Sequence, residues 1–168
     1  MTWLRTPSSR TRNWTTSWRL PTPNVTASGP DPPAVNPTVL DTDVASLLHR
    51  RRLTGPLAAR LIGREPLITF VTFGELTKWA EIRDWGERRR GELAAWLAGM
   101  AVIPGDEAIA ATWGRLSAAA VKRGRPRPVN DMWVAACCLS HNLPLATLNL
   151  KDYEDFRQYH GLRVLGTD

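Results

Sequence analysis

Thr38-Val39-Leu40-Asp41-Thr42-Asp43-Val44 decides the fold: a short apolar strand runs straight into a carboxylate, and a second acid follows where a helix can begin. Asp43 caps a helix running to about Arg51, followed by another helical stretch near Leu57 to Ile62. The pattern then repeats. Leu67 to Val71 is apolar and partly β-branched, and Thr72 opens a Thr-x-x-Glu capping box with Glu75 ahead of a helix carrying Leu76, Trp79, Ala80 and Ile82. Glu87 to Ala98 reads as a helix, Met100 to Ile103 as a short strand, and Asp106 to Val121 as an alanine-rich helix. Asn130 caps the apolar helix Met132 to Ser140, Leu143 to Thr147 is a turn feeding a buried strand, and Arg163-Val164-Leu165 closes the sheet. The order β-α-α-β-α-α-β-α-α-β-β predicts an α/β domain on a parallel sheet.

Composition shifts near residue 37. Residues 1–36 are crowded with Thr, Ser, Pro and Arg and show no sustained apolar period, so they read as an unfolded or loosely attached leader, or as a mis-assigned start. Met1 to Leu20 interleaves Trp3, Trp14 and Trp18 with Arg, Thr and Ser, so it lacks the compact apolar stretch that a secretory signal needs. Residues 37–168 are left as one domain. Of the formal net charge of +6, half belongs to the leader, with its four arginines and one aspartate. A mildly basic chain is compatible with nucleic acid without requiring it. Cys137 and Cys138 are neighbours in an apolar run, which gives neither a disulfide framework nor a zinc site and reads as two small core residues. With no apolar run near the length of about 18 residues needed to span a bilayer, a cytoplasmic, membrane-free protein is expected.

Three acids recur at one topological place: Asp41 after the first strand, Glu75 after the second, and Asp131 at a helix start. In an open parallel sheet these positions converge, because strand carboxyl ends share one edge and ligands bind outside it. Carboxylates brought together repel one another, and a hard divalent ion with a preference for oxygen ligands offsets that repulsion. Such an ion can hold a phosphodiester and lower the pKa of water, without a histidine or cysteine nucleophile. Asn149 and Asp152, in Thr147-x-Asn149-x-x-Asp152, lie after the last strongly apolar strand and either can complete the rim. Lys122, Arg123, Arg125 and Arg127 precede Asp131, as a phosphate-holding loop or as a solvated one. Singly, each acid also has a structural explanation: Glu75 closes a capping box, and Asp43 and Asp131 complement helix dipoles. Trp79, Trp85, Trp96 and Trp113 read as core or interface residues rather than stacking platforms.

The segments Val39 to Val44, Ile68 to Leu76, Asn130 to Ala136 and Leu145 to Tyr153 resemble, in order, the four motifs of the PIN-domain family, and the compact size is similar to that of its VapC-type toxins. The resemblance implies a three-layer fold with a central, mainly parallel sheet flanked by helices. It further implies an endoribonuclease using Mg²⁺ or Mn²⁺, with Asp41, Glu75 and Asp131 as metal-binding acids. Asn149 stands at the family's variable fourth position, and Asp152 supports it. An RNA substrate, a small VapB-like antitoxin and a homodimer come with the same resemblance. Asp43 departs from it, standing where many relatives carry Asn. Two alternatives remain beside this reading. A PIN-like scaffold would bind RNA or protein without catalysis. A haloacid-dehalogenase-type phosphatase would use Asp41-Thr42-Asp43, although Ala45 departs from that motif.

Overall fold

The computed structural model describes residues 36–166, and the expectations for the leader, its three tryptophans included, lie outside the described residues. The domain strings together β1 (Asn36–Leu40), α1 (Thr42–His49), α2 (Gly55–Leu61), β2 (Arg64–Thr69), α3 (Phe70–Ile82) and α4 (Glu87–Ala98). It continues with β3 (Ala101–Ile103), α5 (Glu107–Lys122), α6 (Val129–Ser140), β4 (Leu145–Ala146), α7 (Leu150–His160) and β5 (Val164–Leu165). The strands form one sheet in the order β3-β2-β1-β4-β5, and every pairing is parallel. The expected α/β fold with a parallel sheet is therefore present.

Alternation along β1 separates two cores. Val39 faces a cluster with Ile109, Leu116, Met132, Val134, Tyr153 and Phe156, drawn from α5, α6 and α7. Leu40 faces the other way, into a cluster with Ile68 from β2 and with Val44, Leu57, Leu76 and Leu93 from α1 to α4. Both residues are fully buried, as a central strand covered by helices on both faces demands. Cys137 and Cys138 are buried free thiols, matching their reading as small core residues. No helix among the described residues is long and apolar enough to cross a membrane.

The structure corrects several sequence expectations. Asn36 and Pro37 already belong to β1, one residue earlier than the expected domain start. The cap of α1 is Asp41, not Asp43, which sits inside the first turn. The second strand starts earlier than Leu67 and stops at Thr69, whose hydroxyl caps α3 by accepting the Thr72 N–H at 3.1 Å. Thr72 is consequently a buried helical residue and no capping box forms with Glu75. Pro128, not Asn130, is the cap of α6.

The largest omission is α7, in a stretch the expected order left blank. Its sequence is mostly polar, and only Leu150, Tyr153, Phe156 and Tyr159, spaced three apart, mark an apolar face. Gly161, with φ +71°, ends it in the left-handed conformation that glycine adopts without strain.

The basic segment before α6 is largely committed to this helix. Asp155, 2% exposed, is paired with Arg127 at 2.6 Å and more loosely with Arg125 at 3.9 Å. The Arg123 guanidinium lies 4.5 Å from the Tyr159 ring centroid. Of the four basic residues read as a phosphate-holding loop, three thus face α7 instead.

The hydrogen bond from Arg127, then the charges of Arg127, Arg125 and Arg123, hold the Asp155 carboxyl below its usual range against the opposing effect of burial. A depressed native pKa stabilises the fold above the unfolded value of 3.8, and this contribution is lost as pH falls through the native value. Asp155→Asn is expected to cost about 3 kcal/mol at pH 7 in urea unfolding, because it leaves Arg127 without its buried partner. The gap between wild type and variant should close below about pH 4; a gap that persists unchanged at pH 2 to 3 contradicts the ionic account.

Candidate active site

β1 and β4 meet where the sheet order reverses, the position at which open α/β sheets bind ligands. Their register pairs Leu40 with Ala146, so the next residues, Asp41 and Thr147, leave the two strand ends side by side. Asp41 is 8% exposed and both its oxygens are engaged: one accepts the Thr42 N–H at 2.8 Å, the other the Thr147 hydroxyl at 2.8 Å. The Tyr153 hydroxyl is buried without a well-formed hydrogen bond, yet lies near enough to Asp41 to favour its carboxylate.

Glu75 arrives from the second turn of α3. The Thr42 hydroxyl donates to one of its oxygens, and the Asn130 side-chain amide donates to the other at 2.6 Å. Three elements are thereby tied at one place: α1 through Thr42, α3 through Glu75 and α6 through Asn130. Because Asn130 occupies the first turn of α6 instead of its cap, its amide is free for this contact. The adjacent Asp131 is half-buried.

Asp131 is the most perturbed of these acids. Burial, then the charges of Asp41, Asp152, Glu75 and Asp43, push its carboxyl up to about 7. Asp41 is pushed up to about 6 by burial and by Asp43, against the hydrogen bonds that favour its charged form. Burial raises Asp43 as well, although its two oxygens accept the backbone N–H groups of Val44 at 2.6 Å and Leu148 at 3.2 Å. Asp152 accepts a hydrogen bond from the Asn149 amide, while the Asn149 N–H donates to Thr147 at 3.0 Å.

All five residues singled out in the sequence, Asp41, Glu75, Asp131, Asn149 and Asp152, therefore share this edge. Thr42, Thr147 and Tyr153 were not singled out. Thr147 carried a legible signal, since it ends an apolar strand just as Asp41 does. None of the acids at this edge enters an ion pair among the described residues.

Among the described residues no three His, Cys, Asp or Glu side chains are gathered tightly enough to form a ready ligand shell. The donor chemistry nevertheless fits a hard divalent cation: the groups are carboxylate, amide and hydroxyl oxygens, and among the described residues the acids are not ion-paired to a basic side chain. Raised native pKa values have a thermodynamic sign. Each proton is held more tightly folded than unfolded, so stability from these acids is full below 3.8 and is lost as pH rises through about 6 and 7. In EDTA the Tm is expected to fall between pH 5 and 8, less steeply in Asp131→Asn, and Mg²⁺ should raise it at pH 8. A metal-independent Tm with no slope in that window contradicts this electrostatic picture.

The PIN domain matches residues 38–159, a span that takes in every one of these acids. Ribonuclease VapC1 of Haemophilus influenzae strain R2866 is 28% identical over 119 residues, which cover 69% of this chain and 89% of that protein. Among solved structures, VapBC-1 from nontypeable Haemophilus influenzae is similar with a TM-score of 0.65 at 25% identity, over 78% of this chain and 98% of that one. VapBC-5 from Mycobacterium tuberculosis, a member of the VapBC family of toxin–antitoxin systems, gives 0.59 at 26% identity, over 77% and 98% of the two chains. With the matched span running from the strand that delivers Asp41 through the helix that carries Asp152, the chain belongs to the PIN-domain family.

Proposed function

We propose that this chain is an endoribonuclease dependent on Mg²⁺ or Mn²⁺ and serves as the toxin of a VapBC-type toxin–antitoxin pair. The observation that carries the reading is the meeting of Asp41, Glu75, Asp131 and Asp152 at one sheet edge, with mutual repulsion and, among the described residues, no ion pair to a basic side chain. Similarity to Ribonuclease VapC1 and to chains of VapBC complexes supports RNA as the substrate and a small antitoxin as the partner. A homodimer belongs to the same reading.

Asp41, Glu75 and Asp131 are assigned as the metal-holding acids, with Asp152 and Asn149 completing the rim. When bound, a divalent ion would neutralise these charges, hold a phosphodiester oxygen and lower the pKa of water. The chain supplies the fixed geometry. Thr147 and the Thr42 N–H leave the Asp41 carboxylate one orientation, and Thr42 and Asn130 do the same for Glu75. Groups held before substrate arrives need little reorganisation during reaction.

Purified protein is expected to cut total RNA into discrete products with Mg²⁺ or Mn²⁺ and to cut nothing in EDTA. Asp41→Asn should lower the rate by about a hundredfold or more, and the growth arrest expected on expression of the wild type should be absent with this variant. Thr147→Val, which removes only the hydroxyl that orients Asp41, should cost roughly ten- to a hundredfold while retaining the wild-type fold. Undiminished cleavage by folded Asp41→Asn protein would sink the assignment. Absence of cleavage by folded, metal-supplied wild type would favour a binding scaffold.

A further inference from the structure

A cavity of about 1040 Å³ opens where the carboxyl ends of α1 and α3 meet the flank of α4. It lies at the far end of α1 from Asp41, roughly 12 Å along an eight-residue helix. Arg50, Arg51 and Arg52 line it from the end of α1, Arg83 from the end of α3, and Arg89 from α4. All five are exposed, and none enters an ion pair among the described residues. Glu92, the one acid in the lining, is paired with Arg88 at 3.0 Å. The neighbouring Arg90 is spent differently, donating to the Trp85 carbonyl and to Glu81 and so pinning the α3–α4 turn.

Two tryptophans complete the wall. Trp85 and Trp96 pack against the core beneath α1 to α4, yet each also lines the cavity. The Arg50 guanidinium stands 5.9 Å from the Trp85 ring centroid, and the His49 ring is 5.4 Å from that of Trp96. Arg51 has φ +55°, a conformation that glycine would adopt with less strain, so an arginine is held there against local backbone preference. Clustered cations beside indole rings match a polyanion whose bases present flat faces that stack. An acidic peptide would use the charges and leave the rings unexplained.

We propose that this cavity is a second RNA-binding site, which holds the phosphates of a single-stranded segment on Arg51, Arg52 and Arg89 and stacks a base against Trp85 or Trp96. The inference rests on the reading of RNA as substrate. It adds that substrate is gripped at the opposite end of α1 from the acids. Grip at a distance lets an acidic active edge, rich in carboxylates, retain a polyanion that it would otherwise repel.

Binding without cleavage isolates this site. Anisotropy of a labelled, mixed-sequence single-stranded oligoribonucleotide of roughly a dozen nucleotides is followed in EDTA. The Arg51→Ala, Arg52→Ala, Arg89→Ala triple variant is compared with a charge-matched control, Arg115→Ala, Arg157→Ala, Arg163→Ala. The cavity variant is expected to weaken binding about tenfold or more and to flatten the log–log salt dependence by about 2, as three lost phosphate contacts require. The control should stay within about threefold of wild type. Equal losses in the two variants overturn the proposal, because net charge alone would then explain binding. So does unchanged RNA affinity with lost binding of a polyglutamate peptide, which would assign the cavity to acidic protein. Cleavage of total RNA by wild type is scored separately, so failure of the nuclease reading appears as absent cleavage whatever the anisotropy.

Discussion

The parallel pairing of β1 with β4 at Leu40 and Ala146 is the constraint on which the rest of the active edge depends. It comprises only two residue pairs, but both strands are fully buried there, so a shift of register would turn Leu40, Ala146 and their neighbours out of their cores. The same register sets Asp41 against the Thr147 hydroxyl and lets the Asp41 N–H donate to the Ala146 carbonyl at 2.9 Å. From Asp41 the network passes through Thr42 to Glu75 and on to Asn130. A hydrophobic register thereby fixes a polar constellation drawn from helices far apart in sequence.

That constellation carries an electrostatic cost. Acids pushed up to about 6 and 7 work against folding at neutral pH, in the opposite sense to Asp155, whose arginine partners pull it down. Helix α7 takes part in both arrangements, since the charge of Asp152 bears on Asp131 while Asp155 follows three residues later in the same helix. Asp155 is satisfied from within the chain and serves structure. Asp152 and its neighbours at the active edge have no such partner among the described residues, and this contrast separates a structural acid from one available to an external cation.

Much of this was legible in the sequence, and the remainder was hidden for physical reasons. Val39-Leu40-Asp41 declared a buried strand ending in a charge, and that reading led to the sheet edge at which these acids meet. Thr72 and Glu75 misled because a capping-box spacing fits equally a helix that started three residues earlier, at a cap supplied by Thr69. Asn130 misled in the same way, with a cap-forming side chain used instead to bind Glu75. The helix α7 escaped notice because only one narrow face of it is buried. Its Tyr153 also reaches Asp41 through space in a way that spacing along the chain does not disclose.

The tryptophans show where a structural reading and a functional one coexist. Trp113 stacks on Trp133 at 4.8 Å with rings nearly parallel, and it behaves as the core residue expected. Trp85 and Trp96 pack on the core too, but the ends of α1 and α3 beside them are capped by Arg50 and Arg83. A cation in the last turn of a helix complements its dipole, which accounts for one such residue at each end. It does not account for three in succession after α1, the middle one in a left-handed conformation, facing a further two across a cavity. Helix capping therefore leaves a surplus of positive charge, concentrated beside two indole rings, that a polyanionic ligand explains and local folding does not.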